Sequence, residues 1–175
     1  MAKRIKVELT TKSISDAVKQ LEDYARDLDR KNKIFVDKLM KLGVERVQLT
    51  MQDVDMGEDK WDYSTEIIST SSGKITGAKL LLSGRRILYV EFGQGVIYSN
   101  PQHPKAGEMG YGVGSNSPKG WAWNVTQFGG GWYYTDPDTG ESIHTKGNPA
   151  YMPMYKASVE ITQNIRQIAK EVFGG

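Results

Sequence analysis

QDVDMGEDK, Gln52 to Lys60, is the stretch on which the fold turns, because the residues on its two sides obey different periods. It is acidic and turn-rich, with Gly57 as its pivot. On its N-terminal side apolar residues fall at Ile14, Val18, Leu21, Ala25 and Leu28, then at Phe35, Leu39 and Leu42, with Asn32 in the one missing place. Steps of four and three alternate, which is one face of an amphipathic helix. The spacing predicts helix from Ser15 to Leu49 within a helical region 10–50, and Ser13 or Ser15 can cap its start by accepting a bond from a free backbone N–H. The polar run Asp27 to Lys33, DLDRKNK, is a candidate break into a helix pair. The stripe would also suit a coiled coil, but it lasts only about four heptads with a polar interruption, and a helix packed on a sheet needs the same pattern. Packing on a sheet is the expectation. Ahead of the helix, Ile5 to Leu9 reads as a short strand.

On the C-terminal side the helical period is lost. Trp61 to Thr70 and Lys74 to Ser83 are rich in Ile, Thr, Tyr and Leu around the loop Ser71-Ser72-Gly73, so they read as a β-hairpin, with a third strand at Arg86 to Phe92. Residues 93–130 hold glycines, prolines, serines and asparagines with Trp121, Trp123 and Phe128, a long irregular loop with aromatic anchors. Trp132 to Thr135 and Ser142 to Thr145 flank Asp136-Pro-Asp-Thr-Gly140, whose residues suit a tight turn, giving a second hairpin over 131–146. Pro149 or Pro153 then opens a helix carrying Tyr151, Tyr155, Ile161, Ile165, Ile168 and Val172 on one side, stopped by Gly174-Gly175. The order is helix, strands, helix. The fold class is α+β: an N-terminal helix or helix pair, an antiparallel sheet with a long hairpin and a long loop, and a C-terminal helix over 149–173 packed on the sheet, in one domain spanning 1–175.

Composition narrows the chemistry. The 175 residues include no cysteine and only two histidines, His103 and His144. Thiolate catalysis, disulfides and cysteine-bearing zinc sites are thereby excluded. A hydrophobic content of 38% supports a core, and 23 basic against 21 acidic residues gives a net charge of +2, too balanced to point to sequence-specific nucleic-acid binding. No window approaches a membrane span and the N-terminus lacks a signal-peptide run, so cytoplasmic synthesis and no membrane partner are expected.

The candidate catalytic features are weakly placed. The glycine-rich run from Gly107 to Gly120 invites a phosphate loop, yet Lys119 is followed by Gly and Trp with no helix starting, so flexible loop is preferred. His103 and His144 are candidates for a base and a metal ligand, and Glu91, Asp136, Asp138 and Glu141 for carboxylates, but no spacing joins them into an acid/base or metal motif. The aromatic cluster from Trp121 to Tyr134 lacks a basic surround and reads as core or subunit interface rather than a stacking platform. No catalytic, cofactor-binding or metal site is expected.

Two segments carry a more specific signal. Tyr89-Val-Glu-Phe-Gly93, with Gln94-Gly95, resembles the Y-x-E-F-G-T segment of the tailed-bacteriophage tail-completion or neck family, the minor tail components that act in head–tail joining. Downstream, Gly147-Asn-Pro-Ala-Tyr-Met-Pro-Met154, leading into the last helix through Ala157, resembles that family's G-x-x-P-x-P-F-(L/M)-x-P-A ending. The likeness spans nearly the whole chain in order. It departs where Gln52 to Lys60 replaces the usual A-P-x-x-T-G-x-L, where Gln94 replaces Thr and where Met154 replaces Phe.

The residues themselves have structural work to do. Glu91, between apolar neighbours, needs a hydrogen-bonding or cationic partner, and Gly93 permits a backbone turn. Pro149 to Pro153 sets an extended approach and a first helical turn. Tyr89, Glu91, Phe92, Gly93, Gly95, Gly147, Pro149 and Pro153 form the expected structural and assembly motif.

The resemblance implies a virion protein, assembled in the bacterial cytoplasm, that forms a homo-oligomeric ring at the neck or tail end. Its partners would be tail-tube, tail-terminator, head-closure or portal-complex proteins. The alternatives are a tail terminator of a headless phage-derived bacteriocin or injection particle, a cell-wall hydrolase built on Glu91 and His144, or a host-directed binding module using the aromatic loop.

Overall fold

The structure, a computed structural model, describes residues 6–54, 62–72, 76–95, 103–105, 108, 112–113, 132–136, 139–145 and 149–174. Its elements are α1 (Thr11–Gln52), β1 (Tyr63–Ser69), β2 (Ala78–Gly84), α2 (Ile87–Phe92), β3 (Gln94–Gly95), β4 (Gly112–Val113), β5 (Trp132–Thr135), β6 (Ser142–Thr145) and α3 (Pro153–Phe173). This is the α+β arrangement the order of textures requires. Trp61, Gly57, Gly147, Asp138, the aromatic anchors Trp121, Trp123 and Phe128, and most of the glycine-rich run lie outside the described residues.

Contacts divide the chain into two units, one of Met1–Val44, Glu66–Leu81 and Val159–Gly175, the other of Glu45–Thr65 and Leu82–Ser158. In the first unit α1 begins at Thr11 rather than Ser15. Thr10 takes the capping role, its hydroxyl accepting the Ser13 N–H at 3.2 Å, while the Ser13 hydroxyl accepts the Glu8 N–H at 2.9 Å. Those two bonds bend residues 6–10 into the helix start, and the strand expected at Ile5 to Leu9 is not formed over the described residues. Nor does α1 break at Asp27 to Lys33. The run contains no Gly or Pro, and its charges pair along the helix surface: Asp27 with Arg30 at 2.6 Å and Lys31 at 3.5 Å, and Asp23 with Arg26. The Arg30 hydrogen bond leads in holding the Asp27 carboxyl below its usual range, with Lys31 adding to it.

Further along, α3 lies antiparallel to α1. Phe35 meets Phe173 edge-on with ring centroids 5.6 Å apart, Lys38 reaches Glu171 at 3.1 Å, and Gly43 faces Ile161. A Cβ on Gly43 would stand 2.9 Å from Ile161 Cδ1 and 3.1 Å from Leu80 Cδ2, so this glycine lets α1, β2 and α3 close together. β1 and β2 pair as the expected hairpin, closed by the Thr70 N–H on the Gly77 carbonyl at 2.9 Å, over a connection too short for a parallel crossover.

The second unit draws its core from Val47 and Met51 at the end of α1, Val90 and Phe92 on α2, and Met152, Pro153 and Ala157 around the start of α3. The second hairpin forms as read: Trp132 pairs with Thr145 and Thr135 with Ser142. Its turn is closed by Asp136, whose carbonyl accepts the Gly140 N–H and whose carboxylate accepts the Thr139 N–H, with Gly140 at φ 73°. Within the expected long loop, Gln94 and Gly95 pair in parallel with Gly112 and Val113.

The third strand expected at Arg86 to Phe92 is instead the helical turn α2. Ile-Leu-Tyr-Val-Glu-Phe is an apolar run that periodicity cannot assign. Arg86 adopts a left-handed φ of 61°, and its carbonyl accepts the Tyr89 and Val90 N–H groups. Gly93 ends the turn at φ 76°, a conformation that favours glycine, with its N–H on the Tyr89 carbonyl.

Filling the Gly43 crossing tests the packing. Gly43→Leu should lower stability by about 1–3 kcal/mol through overpacking, read as a shift in the urea midpoint, while Gly43→Ala, which needs only the flexible ends of Ile161 and Leu80 to give way, should cost clearly less.

Candidate functional site

α3 opens without a local cap. Met152 precedes Pro153, so no Ser, Thr, Asp or Asn side chain stands where the first free N–H groups need an acceptor. Pro153 fills the first helical position, where a missing N–H costs nothing. The next two amides are taken by a residue far back in the chain: Glu91 Oε2 accepts the Met154 N–H at 2.8 Å, and Glu91 Oε1 accepts the Tyr155 N–H at 2.9 Å. A carboxylate at this end also faces the positive pole of the helix dipole.

His103 completes the arrangement. Its Nδ1 accepts the Lys105 N–H at 3.0 Å, which assigns the hydrogen to Nε2, and Nε2 donates to Glu91 Oε1 at 3.1 Å. The imidazole is therefore neutral, and the contact is a hydrogen bond rather than an ion pair. Aromatic rings enclose it, Phe92 at 4.5 Å and Tyr155 at 5.2 Å between centroids, both edge-on. Glu91 is 8% exposed and His103 6%. Burying a carboxylate this deeply is tolerable only with such a set of donors.

Two backbone bonds seat the segment beside the carboxylate. The Val90 carbonyl accepts the Tyr151 N–H at 2.9 Å and the Met152 N–H at 3.4 Å, and Met152 takes a left-handed φ of 60° before the helix begins. Left-handed residues other than glycine cost about 1–2 kcal/mol, and Arg86 and Met152 mark the two ends brought to Glu91.

Of the residues singled out in the sequence, Glu91, Phe92, Gly93 and Pro153 are gathered here and buried, Tyr89 and Pro149 are half-buried, and Gly95 lies on β3. Gly147 falls outside the described residues. The demand that Glu91 find a partner is met by backbone amides and an imidazole rather than by a cation. His103 was not legible as part of this site, since its spacing from Glu91 follows no local pattern; the missing cap before Pro153 was the signal that a distant acceptor existed. His144 sits on the exposed β6 against the Tyr133 ring, at 4.9 Å between centroids. Asp136 serves its turn. Among the described residues, no group of three or more His, Asp or Glu gathers as a metal site, and no helix is long and apolar enough to cross a membrane. An open hollow of about 320 Å³ has a described lining of Gly84, Arg86, Ile87, Leu88 and Tyr89, with no carboxylate or imidazole for proton transfer.

Both Glu91 oxygens are engaged, and the carboxylate has little access to a substrate. No family model, no curated protein and no solved structure matches this chain.

Glu91→Gln retains the shape but offers one oxygen to three donors. It should destabilise the protein by about 1–3 kcal/mol and speed hydrogen exchange at the Met154 and Tyr155 amides. Unchanged exchange at both amides would contradict the capping role.

Proposed function

We propose that this chain is a structural subunit of a tailed bacteriophage or phage-like particle, forming a ring at the head–tail junction that completes or caps the tail and supports joining. The observation that carries this is the meeting of the two segments that resemble the tail-completion family. Glu91 of the Tyr89–Gly95 segment bonds the amides of Met154, the last residue of the Gly147–Met154 segment, and of Tyr155, the residue after it. Two short likenesses that are separate in sequence thus act as one unit, which is the relation expected if they were kept together for a common fold.

The site's chemistry supports the same direction. A wall hydrolase would need Glu91 exposed to a polymer as acid or nucleophile, whereas it is buried and bonded to three donors. A ring subunit needs a stable scaffold and exposed surfaces for its neighbours, and half-exposed apolar side chains such as Ile67, Ile68 and Leu81 on the β1–β2 hairpin offer such surface. In a headless particle the same subunit would terminate the tube.

Deleting the gene from the particle that encodes it and imaging the products by electron microscopy tests this. Unjoined heads and tails, or tails of uncontrolled length, are expected, with rescue by the wild-type chain. Normal particles, lacking the protein by mass spectrometry, would overturn it.

A further inference from the structure

α1 has 42 residues and α3 has 21, so at 1.5 Å per residue they run about 63 Å and about 32 Å. α3 follows α1 from Gly43 to Phe35, and its last helical residue, Phe173, stands against Phe35. The segment from Thr11 to Ile34 therefore continues for about 36 Å past the end of α3.

Along this overhang the apolar stripe does not stop. Ile14, Val18, Leu21 and Leu28 are between 38% and 56% exposed, and Tyr24 beside them is 54% exposed. They continue, in the same alternation of four and three, the seam to which Phe35 and Leu39 belong where α3 lies alongside. A 3.5-residue period keeps such a seam turned toward another helix along its length. Where α3 reaches, the seam already faces a helix, and a helix is the occupant that continues it.

The pattern also says which helix. With Ile14, Leu21, Leu28 and Phe35 at one core position of the heptad, Val18, Ala25, Asn32 and Leu39 occupy the other. A single asparagine at that second position, among apolar residues, is the device that fixes register in a two-stranded coil, where it meets its own copy. Along the flanks, a parallel pair sets Glu22 opposite Ala17 and Asp29 opposite Tyr24, with no like charges facing. An antiparallel pair sets the acidic flank of Glu22 and Asp29 against itself. On the outer side of the helix, Asp23 pairs with Arg26 and Asp27 with Arg30 within the helix itself.

We propose that the Thr11–Ile34 half of α1 pairs with the same segment of a second copy of this chain as a parallel two-stranded coiled coil. Half-exposed side chains of this size leave roughly 70–120 Å² each, so pairing removes on the order of 900 Å² from water, below the roughly 1,200 Å² of a stable specific interface and in the range of weak, transient ones. The association is accordingly reversible and concentration-dependent. It stands on helix geometry and does not rest on the ring reading.

Sedimentation equilibrium of the full chain should show the mass rising from one copy toward two across the micromolar range. Leu21→Glu/Leu28→Glu should remain monomeric at the same concentrations, with the unfolding midpoint of the dilute, monomeric wild type, because the overhang lies beyond α3 and only the association contributes there. The chain has no cysteine, so Ala25→Cys alone should oxidise to a disulfide-linked dimer only if the two helices run parallel. A wild-type chain that stays monomeric, or a double variant that associates as well as wild type, overturns the proposal. A larger ring that persists in the double variant, with Ala25→Cys unlinked, overturns the pairing and leaves the ring reading intact.

Discussion

A helix that begins at a proline after a methionine has amides with nothing nearby to accept them, and in the second unit the chain is arranged around supplying that acceptor. The Glu91 carboxylate reaches the Met154 and Tyr155 N–H groups from α2, and the geometry of its neighbours follows from holding it there. α2 is helical rather than extended because its turn aims Glu91 at α3 while the Val90 carbonyl receives Tyr151 and Met152. Arg86 and Met152 accept left-handed backbone on either side, and Gly93 turns the chain away once the carboxylate is placed. His103 joins the same oxygen as the Tyr155 amide and brings its own short segment into the core. A charge this buried is stable only as part of a complete set of bonds, so each member has reason to be where it is.

In the first unit the controlling constraint is space rather than charge. Gly43 removes the side chain that would separate α1 from Ile161 and Leu80, and the antiparallel helix pair closes over that gap. The ion pairs along α1 and between Lys38 and Glu171 are exposed and contribute little individually. The Lys38 hydrogen bond, then Gln167, holds the Glu171 carboxyl below its usual range, so the small stability from this contact is present above that range and lost as pH falls through it.

Function follows from how these groups are used. A glutamate and a histidine in contact inside a protein invite a catalytic interpretation, but the tautomer, the burial and the two backbone donors make this pair a cap with a brace. Exposed apolar side chains lie elsewhere, on the hairpin and on the N-terminal half of α1.

Local interactions determined much of this protein from sequence. The helical stripe of α1, the Asp136–Gly140 turn with its flanking strands and the stop of α3 at Gly174 depend on residues within about one turn of each other, and their spacing was sufficient; the helix expected over 149–173 from Pro149 or Pro153 starts at Pro153. The polar run at Asp27 to Lys33 misled because charge pairs at i+3 and i+4 make it a solvated helix face. Tertiary structure alone decided the conformation of Ile87 to Phe92, the acceptor for α3, the place of His103 and which half of the α1 stripe is covered. A six-residue apolar run has nearly equal helical and extended energies, so a pair of charge-assisted hydrogen bonds to residues some sixty positions away was enough to choose between them.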